Sequence, residues 1–113
     1  MTITEQEFKK YIEYIRNNNL ADVDLVIRHG ILGILSEAGE FADILKRMTV
    51  YCTPVNEEHI KEELGDLLHY MTYLMNKFGW DLADIMQANM TKLKKRYPKG
   101  YSNEDSLTRK DKK

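Results

Sequence analysis

"IKEELGDLLHYMTYLMNKFG", residues 60–79, decides the fold class of this chain. Ile60, Leu64, Leu67, Leu68, Met71, Leu74, Met75 and Phe78 recur at the i, i+3, i+4, i+7 spacing of a helix with one apolar face. Gly79 is suited to close that helix, and Asn56, in the loop "TPVN" (53–56), is placed to cap its start. Upstream, a second helix is predicted from about Asp22 to about Tyr51. Its stripe is Ile27, Ile31, Ile34, Leu35, Ala38, Ala42, Leu45 and Met48, with Gly30, Gly33 and Gly39 as points where it can bend. The first helix opens with Thr4 and Glu7 in capping-box spacing, continues through Phe8, Tyr11, Ile12 and Ile15, and ends at "NNN" (17–19). Downstream, Asp81 caps a fourth helix carrying Leu82, Ile85, Met86, Leu93 and Tyr97 until Pro98 stops it. No stretch alternates like a strand. The expectation is an all-α protein, a small bundle of about four helices over residues 1–100, followed by a polar C-terminal tail, 101–113, mobile in its last residues.

Composition narrows the function classes. At 113 residues the chain is read as one domain with a thin core. Wide apolar stripes around so little interior predict a homo-oligomer, a homodimer or a homotetramer. The net charge of −1 gives no overall attraction for a nucleic-acid polymer or an anionic membrane. Cys52 is the sole cysteine, which excludes an internal disulfide and a thiolate cluster and fits a reduced, cytoplasmic setting. The N-terminal "MTITEQEFKKYIEYIR" lacks the apolar core of a signal peptide, and no run approaches the roughly 20 apolar residues of a membrane span.

Two acidic motifs are out of place in helices built for stability alone. "EAGE" sets Glu37 and Glu40 three apart around Gly39, and "ELGD" sets Glu63 and Asp66 three apart around Gly65. A helical glycine costs on the order of 1 kcal/mol relative to alanine, and like charges at this spacing repel. At about 100° per residue, Glu37 lies roughly 90°, and Glu63 roughly 80°, from the centre of its helix's apolar stripe. If the two helices pack antiparallel through those stripes, the carboxylates converge in one groove, and the glycines admit a neighbour or ligand. Four converging acids repel unless a cation sits among them. All-oxygen ligands suit hard divalent ions such as Mg²⁺ or Mn²⁺. Isolated E-x-x-E pairs are common on solvated faces; it is the repetition of the whole pattern that points to metal. On the fourth helix Asn89 falls within the apolar stripe, flanked on one side by Lys92 and Arg96. Beside an acidic metal cluster such a face suggests phosphate binding; alone, it reads as a basic helix end favourable to the dipole.

"HGILGILSEAGEFADILK", "EELGDLLHY" and "NMTKLKKRYPKGYS" together resemble the MazG-like, all-α nucleoside triphosphate pyrophosphohydrolases. The pattern is E-x-x-E, a spacer, E-x-x-D, then N-x-x-K-L-x-x-R-Y-P, and here positions 41–62 form the spacer. The resemblance runs from about residue 27 to about residue 109. It implies an enzyme that uses Mg²⁺, with Mn²⁺ as a substitute, to convert a nucleoside triphosphate to the monophosphate and pyrophosphate, clearing surplus or non-standard (d)NTPs. It implies Glu37, Glu40, Glu63 and Asp66 as catalytic metal ligands, and Asn89, Lys92, Arg96 and Tyr97 as contacts to the nucleotide. His69 departs from the aromatic residue more usual at that position and makes a D-x-x-H pair with Asp66. A di-iron bundle needs that pattern twice, and no histidine follows the first motif. His69 reads as a core-edge residue, and His29 as a packing residue that matches a histidine of one family subgroup. The rival readings are a non-catalytic helical oligomer that binds metal or nucleotide as a regulatory module, and a helical scaffold with an apolar groove and no converging acids.

Overall fold

The computed structural model of the chain describes residues 2–17 and 22–112. It contains α1 (Glu5–Asn17), α2 (Val23–Thr49), α3 (Glu57–Lys77), α4 (Leu82–Arg96), α5 (Asn103–Thr108) and a 3₁₀ turn, Lys110–Lys112. There is no β-strand among the described residues, so the chain is all-helical. The caps fall where their residue types require. Thr4 N–H donates to Glu7 Oε2 at 2.7 Å while Glu7 N–H donates to Thr4 Oγ1 at 3.1 Å, a reciprocal capping box. Asp22, Asn56 and Asp81 accept from the first-turn amides of α2, α3 and α4. Gly79 follows α3 in the left-handed region, at φ +71°. Asn17 is the last residue of α1; Asn18 and Asn19 lie outside the described residues.

The chain forms two compact units, Met1–Gly79 and Trp80–Lys113. In the first, α1, α2 and α3 bury a small core of Ile15, Val26 and Tyr73, and Asn76 of α3 donates through its side chain to the Ile12 carbonyl of α1 at 3.1 Å. Helices α2 and α3 are antiparallel: Gly30 faces Tyr73 and Leu74, Gly33 faces Tyr70, and Glu37 faces Glu63. They do not meet through the apolar stripes as expected. Ile31, Leu35 and Leu45 are 46%, 64% and 56% exposed, and Leu64 and Leu68 of α3 are also exposed. The face of α2 turned to α3 runs instead through Val26, Gly30, Gly33, Glu37 and Ile44. The reason is steric: a Cβ on Gly33 would overlap the Tyr70 ring, and one on Gly30 would come within 3.2 Å of Leu74. Two missing side chains open a notch that α3 fills with aromatic rings, and this notch fixes the rotation of both helices.

In the second unit the polar tail carries α5 and the 3₁₀ turn, helical structure that the reading of the sequence did not include. Ser102 caps α5 by accepting from Asp105 N–H at 3.0 Å. Arg96, at the end of α4, donates through Nε and Nη2 to the two oxygens of Asp111 at 2.7 and 2.9 Å. The Asp111 side chain is 2% exposed, so the pair is screened little by water.

Candidate metal centre

Antiparallel packing turns two sequence-distant motifs toward each other. Glu37 on α2 and Glu63 on α3 lie on the faces that meet, and Asp66 stands one turn further along α3. A carboxylate oxygen from each of Glu37, Glu63 and Asp66 lies within 4.8 Å of the other two. Glu63 is buried, and its Oε2 has no hydrogen-bond partner; Glu37 Oε2 is likewise buried and unpartnered. Glu40 is exposed at the rim and is not one of the converging three, but it is close enough to Glu63 and Glu37 to interact with both.

The electrostatics follow from this crowding. Loss of water pushes the Glu37 carboxyl up to about 7, and the neighbouring Glu63 carboxyl and the charges of Glu40 and Asp66 add to it. Glu40 is raised too, chiefly by Glu63 beside it. Buried carboxylate oxygens without donors are costly, and a divalent cation is the partner that satisfies several at once. The set fits one: all ligand atoms are oxygens, they converge, and two are orphaned. By contrast, Gly39 and Gly65 have no close neighbour among the described residues, since nothing there lies within 4 Å of a Cβ built on either. Close approach belongs to Gly30 and Gly33.

Side chains that the motifs do not include complete the surroundings. His59 Nε2 lies 3.2 Å from Glu63 Oε1, and the His59 backbone amide is fixed by Asn56 Oδ1 at 3.1 Å. The i, i+4 spacing of His59 and Glu63 was the available signal, but at the start of a helix such a histidine reads as ordinary surface. Burial and then the charge of Asp66 raise the Tyr11 hydroxyl above its usual range, so α1 reaches the centre as well. Tyr70 and Tyr73 pack with the two histidines. His29 packs edge-on to both rings at 5.2 Å, with Nδ1 3.3 Å from the Tyr73 hydroxyl, and His69 lies 4.9 Å from Tyr70. Both histidines are therefore packing residues of the aromatic layer. Beyond Glu40 and Glu63 a cavity of about 360 Å³ extends to the 50–56 loop, walled by Ile44, Met48 and Pro54 with Arg47, Thr53 and His59 at its polar edges.

The other four residues singled out in the sequence lie in the second unit. Asn89 and Lys92 are exposed on α4. Arg96 is engaged by Asp111, which raises its guanidinium above the ordinary range while Asp111 is held well below its own. Tyr97 is tied to the same segment: a hydrogen bond from Ser106 leads the effects that lower its hydroxyl. Its ring lies 5.2 Å from that of Tyr101.

Residues 28–101 match the family described as the MazG nucleotide pyrophosphohydrolase domain, a segment that spans both acidic motifs and the Asn-Lys-Arg face of α4. The chain is similar to the Gene 37 protein of Mycobacterium phage L5, 33% identical over 73 residues, which are 61% of this chain and 64% of that protein. The chain thus spans just under two thirds of the length of that relative. No solved structure gives a significant match. With most of its length inside the family match, and with the acids of both motifs meeting across α2 and α3, this chain belongs to the MazG nucleotide pyrophosphohydrolase domain family.

Proposed function

We propose that this protein is a Mg²⁺-dependent nucleoside triphosphate pyrophosphohydrolase, which splits the α–β phosphoanhydride of a (d)NTP to give the (d)NMP and pyrophosphate. The observation that carries the reading is the pair of buried, unpartnered oxygens, Glu37 Oε2 and Glu63 Oε2, among converging carboxylates beside an open cavity. Glu37, Glu63 and Asp66 would hold the metal, with Glu40 joining from the rim. Bound there, Mg²⁺ or Mn²⁺ would neutralise phosphate charge and lower the pKa of water. Glu40, exposed at the rim, is suited to orient the attacking water. The nucleoside would enter the cavity between α2 and the 50–56 loop, where Ile44, Met48 and Pro54 offer apolar surface to a base. By resemblance to the family, Asn89, Lys92, Arg96 and Tyr97 would contact the nucleotide.

The exposed apolar stripes of α2 and α3 support assembly as a homodimer or homotetramer, because contiguous apolar surface of this kind marks an interface. Exposed, unpaired Cys52 fits a reducing, cytoplasmic setting, and the family reading fits a role in clearing surplus or non-standard (d)NTPs. Among the described residues no helix is long and apolar enough to cross a membrane. The test is to incubate the protein and Mg²⁺ with a panel of nucleoside triphosphates and identify the products. Monophosphate and pyrophosphate in equal amounts support the reading. Diphosphate and orthophosphate, or tight nucleotide binding with no turnover, contradict it, the latter in favour of a regulatory binding module.

A further inference from the structure

We infer that His59 is a positioning residue for the metal centre, holding Glu63 in its ligating rotamer by donating its Nε2–H to Oε1. The inference rests on the metal-binding reading above. A glutamate has three side-chain torsions, and an uncommitted carboxylate samples many orientations. Glu63 is 7% exposed, so water does little to hold it. Its Oε1 is 3.2 Å from His59 Nε2, while Oε2 is buried without a partner, and a Glu63 carboxylate oxygen lies within 4.8 Å of oxygens of Glu37 and Asp66. One oxygen is thus tied and the other is left for the ion.

His59 is itself fixed at its backbone. Its amide donates to Asn56 Oδ1 at 3.1 Å, so the first turn of α3 is anchored where the ring projects. The two residues are one turn apart on the same helix, and the pairing needs no rearrangement elsewhere. His59 also lines the cavity that Glu40 and Glu63 border. Partners of this kind orient metal-ligating side chains, and removing one weakens metal binding about 10–100-fold.

The test uses Mn²⁺ alone, followed by the loss of its free-ion electron paramagnetic resonance signal, on the full chain. His59→Leu removes the donor and should weaken Mn²⁺ binding by about tenfold or more. His59→Gln places an amide N–H close to where Nε2 stands and should bring affinity back to within a few-fold of wild type. Thermal unfolding without metal should show all three proteins folded, with cooperative transitions well above the assay temperature, which separates positioning from folding. If wild type binds Mn²⁺ and His59→Leu binds it equally well, the inference falls and the metal centre stands. If both variants lose affinity alike, the ring and not its hydrogen bond matters, which also overturns it. If wild type binds no Mn²⁺, the metal reading itself fails.

Discussion

Gly33 and Tyr70 are in direct contact across the α2–α3 interface, with the phenol ring occupying the space that a side chain at 33 would fill. Tyr70 is one turn beyond Asp66, so this contact sets the separation of the helices close to the acids. Gly33→Ala therefore has two opposed effects. Alanine favours the helix by about 1 kcal/mol, but the overlap with a ring packed by His29 and His69 forces displacement, at about 1–3 kcal/mol. The expected result is net destabilisation and weaker divalent-metal binding, read by thermal unfolding with and without Mn²⁺. Gly39→Ala, where a Cβ meets nothing in this chain, should be neutral or stabilising in the metal-free protein.

The raised Glu37 carboxyl gives the metal-free protein a definite pH dependence. Its folded value, about 7, lies above the ordinary glutamate value of 4.5, so between these limits the folded state holds more protons than the unfolded chain. Stability then falls as pH rises from about 4.5 to about 7. Mg²⁺ or Mn²⁺ competes with those protons, and stabilises the folded state by mass action. Melting temperatures should decline across this window without metal, and the increment from added Mn²⁺ should be larger at pH 8 than at pH 5.5. An increment independent of pH would mean that the ion binds elsewhere.

Asp111 works in the opposite sense. Held below its usual range mainly by Arg96, it contributes stability that is present above the unfolded-state value and is lost as pH falls through the lower folded one. Asp111→Asn keeps the shape but loses the charge-assisted fork. Amide exchange in α5 and the 3₁₀ turn should accelerate in this variant, while α2 and α3 exchange as before. If the substituted tail exchanges as slowly as wild type, the ion pair does not hold it.

The stripe of α2 offers a test of assembly. Leu35 is 64% exposed and lies with Ile31 and Leu45 on the side of the helix away from α3. Light scattering should return a multiple of the single-chain mass at micromolar protein. Leu35→Lys should lower it toward one chain without unfolding the helices. A single-chain mass for wild type would exclude the proposed oligomer at that concentration.

Helix ends were legible in the sequence because caps are local: Thr4 with Glu7, Asp22, Asn56 and Asp81 each act within a few residues. The convergence of Glu37, Glu63 and Asp66 was legible because a repeated motif on two helices joined by a short loop has few ways to be placed. The helix rotation was not. Apolar periodicity marks the widest hydrophobic face, whereas the packing face of α2 is defined by the absence of side chains at Gly30 and Gly33 and by rings 40 residues away. The folded tail escaped for a related reason. Its order depends on Arg96 and Asp111, fifteen residues apart, and neither predicts the other locally.

The central claim is that the acids of the two motifs hold the metal that drives hydrolysis, and Asp66→Asn tests it most directly. The substitution preserves shape and removes one charge from a cluster whose members repel, so the metal-free fold should be as stable as wild type or slightly more so. The measurement is the rate of pyrophosphate release from the preferred nucleoside triphosphate at saturating Mg²⁺, for wild type and variant together. The account predicts turnover by wild type and a loss of about a hundredfold or more in Asp66→Asn. Undiminished pyrophosphate release by a folded Asp66→Asn protein would contradict it.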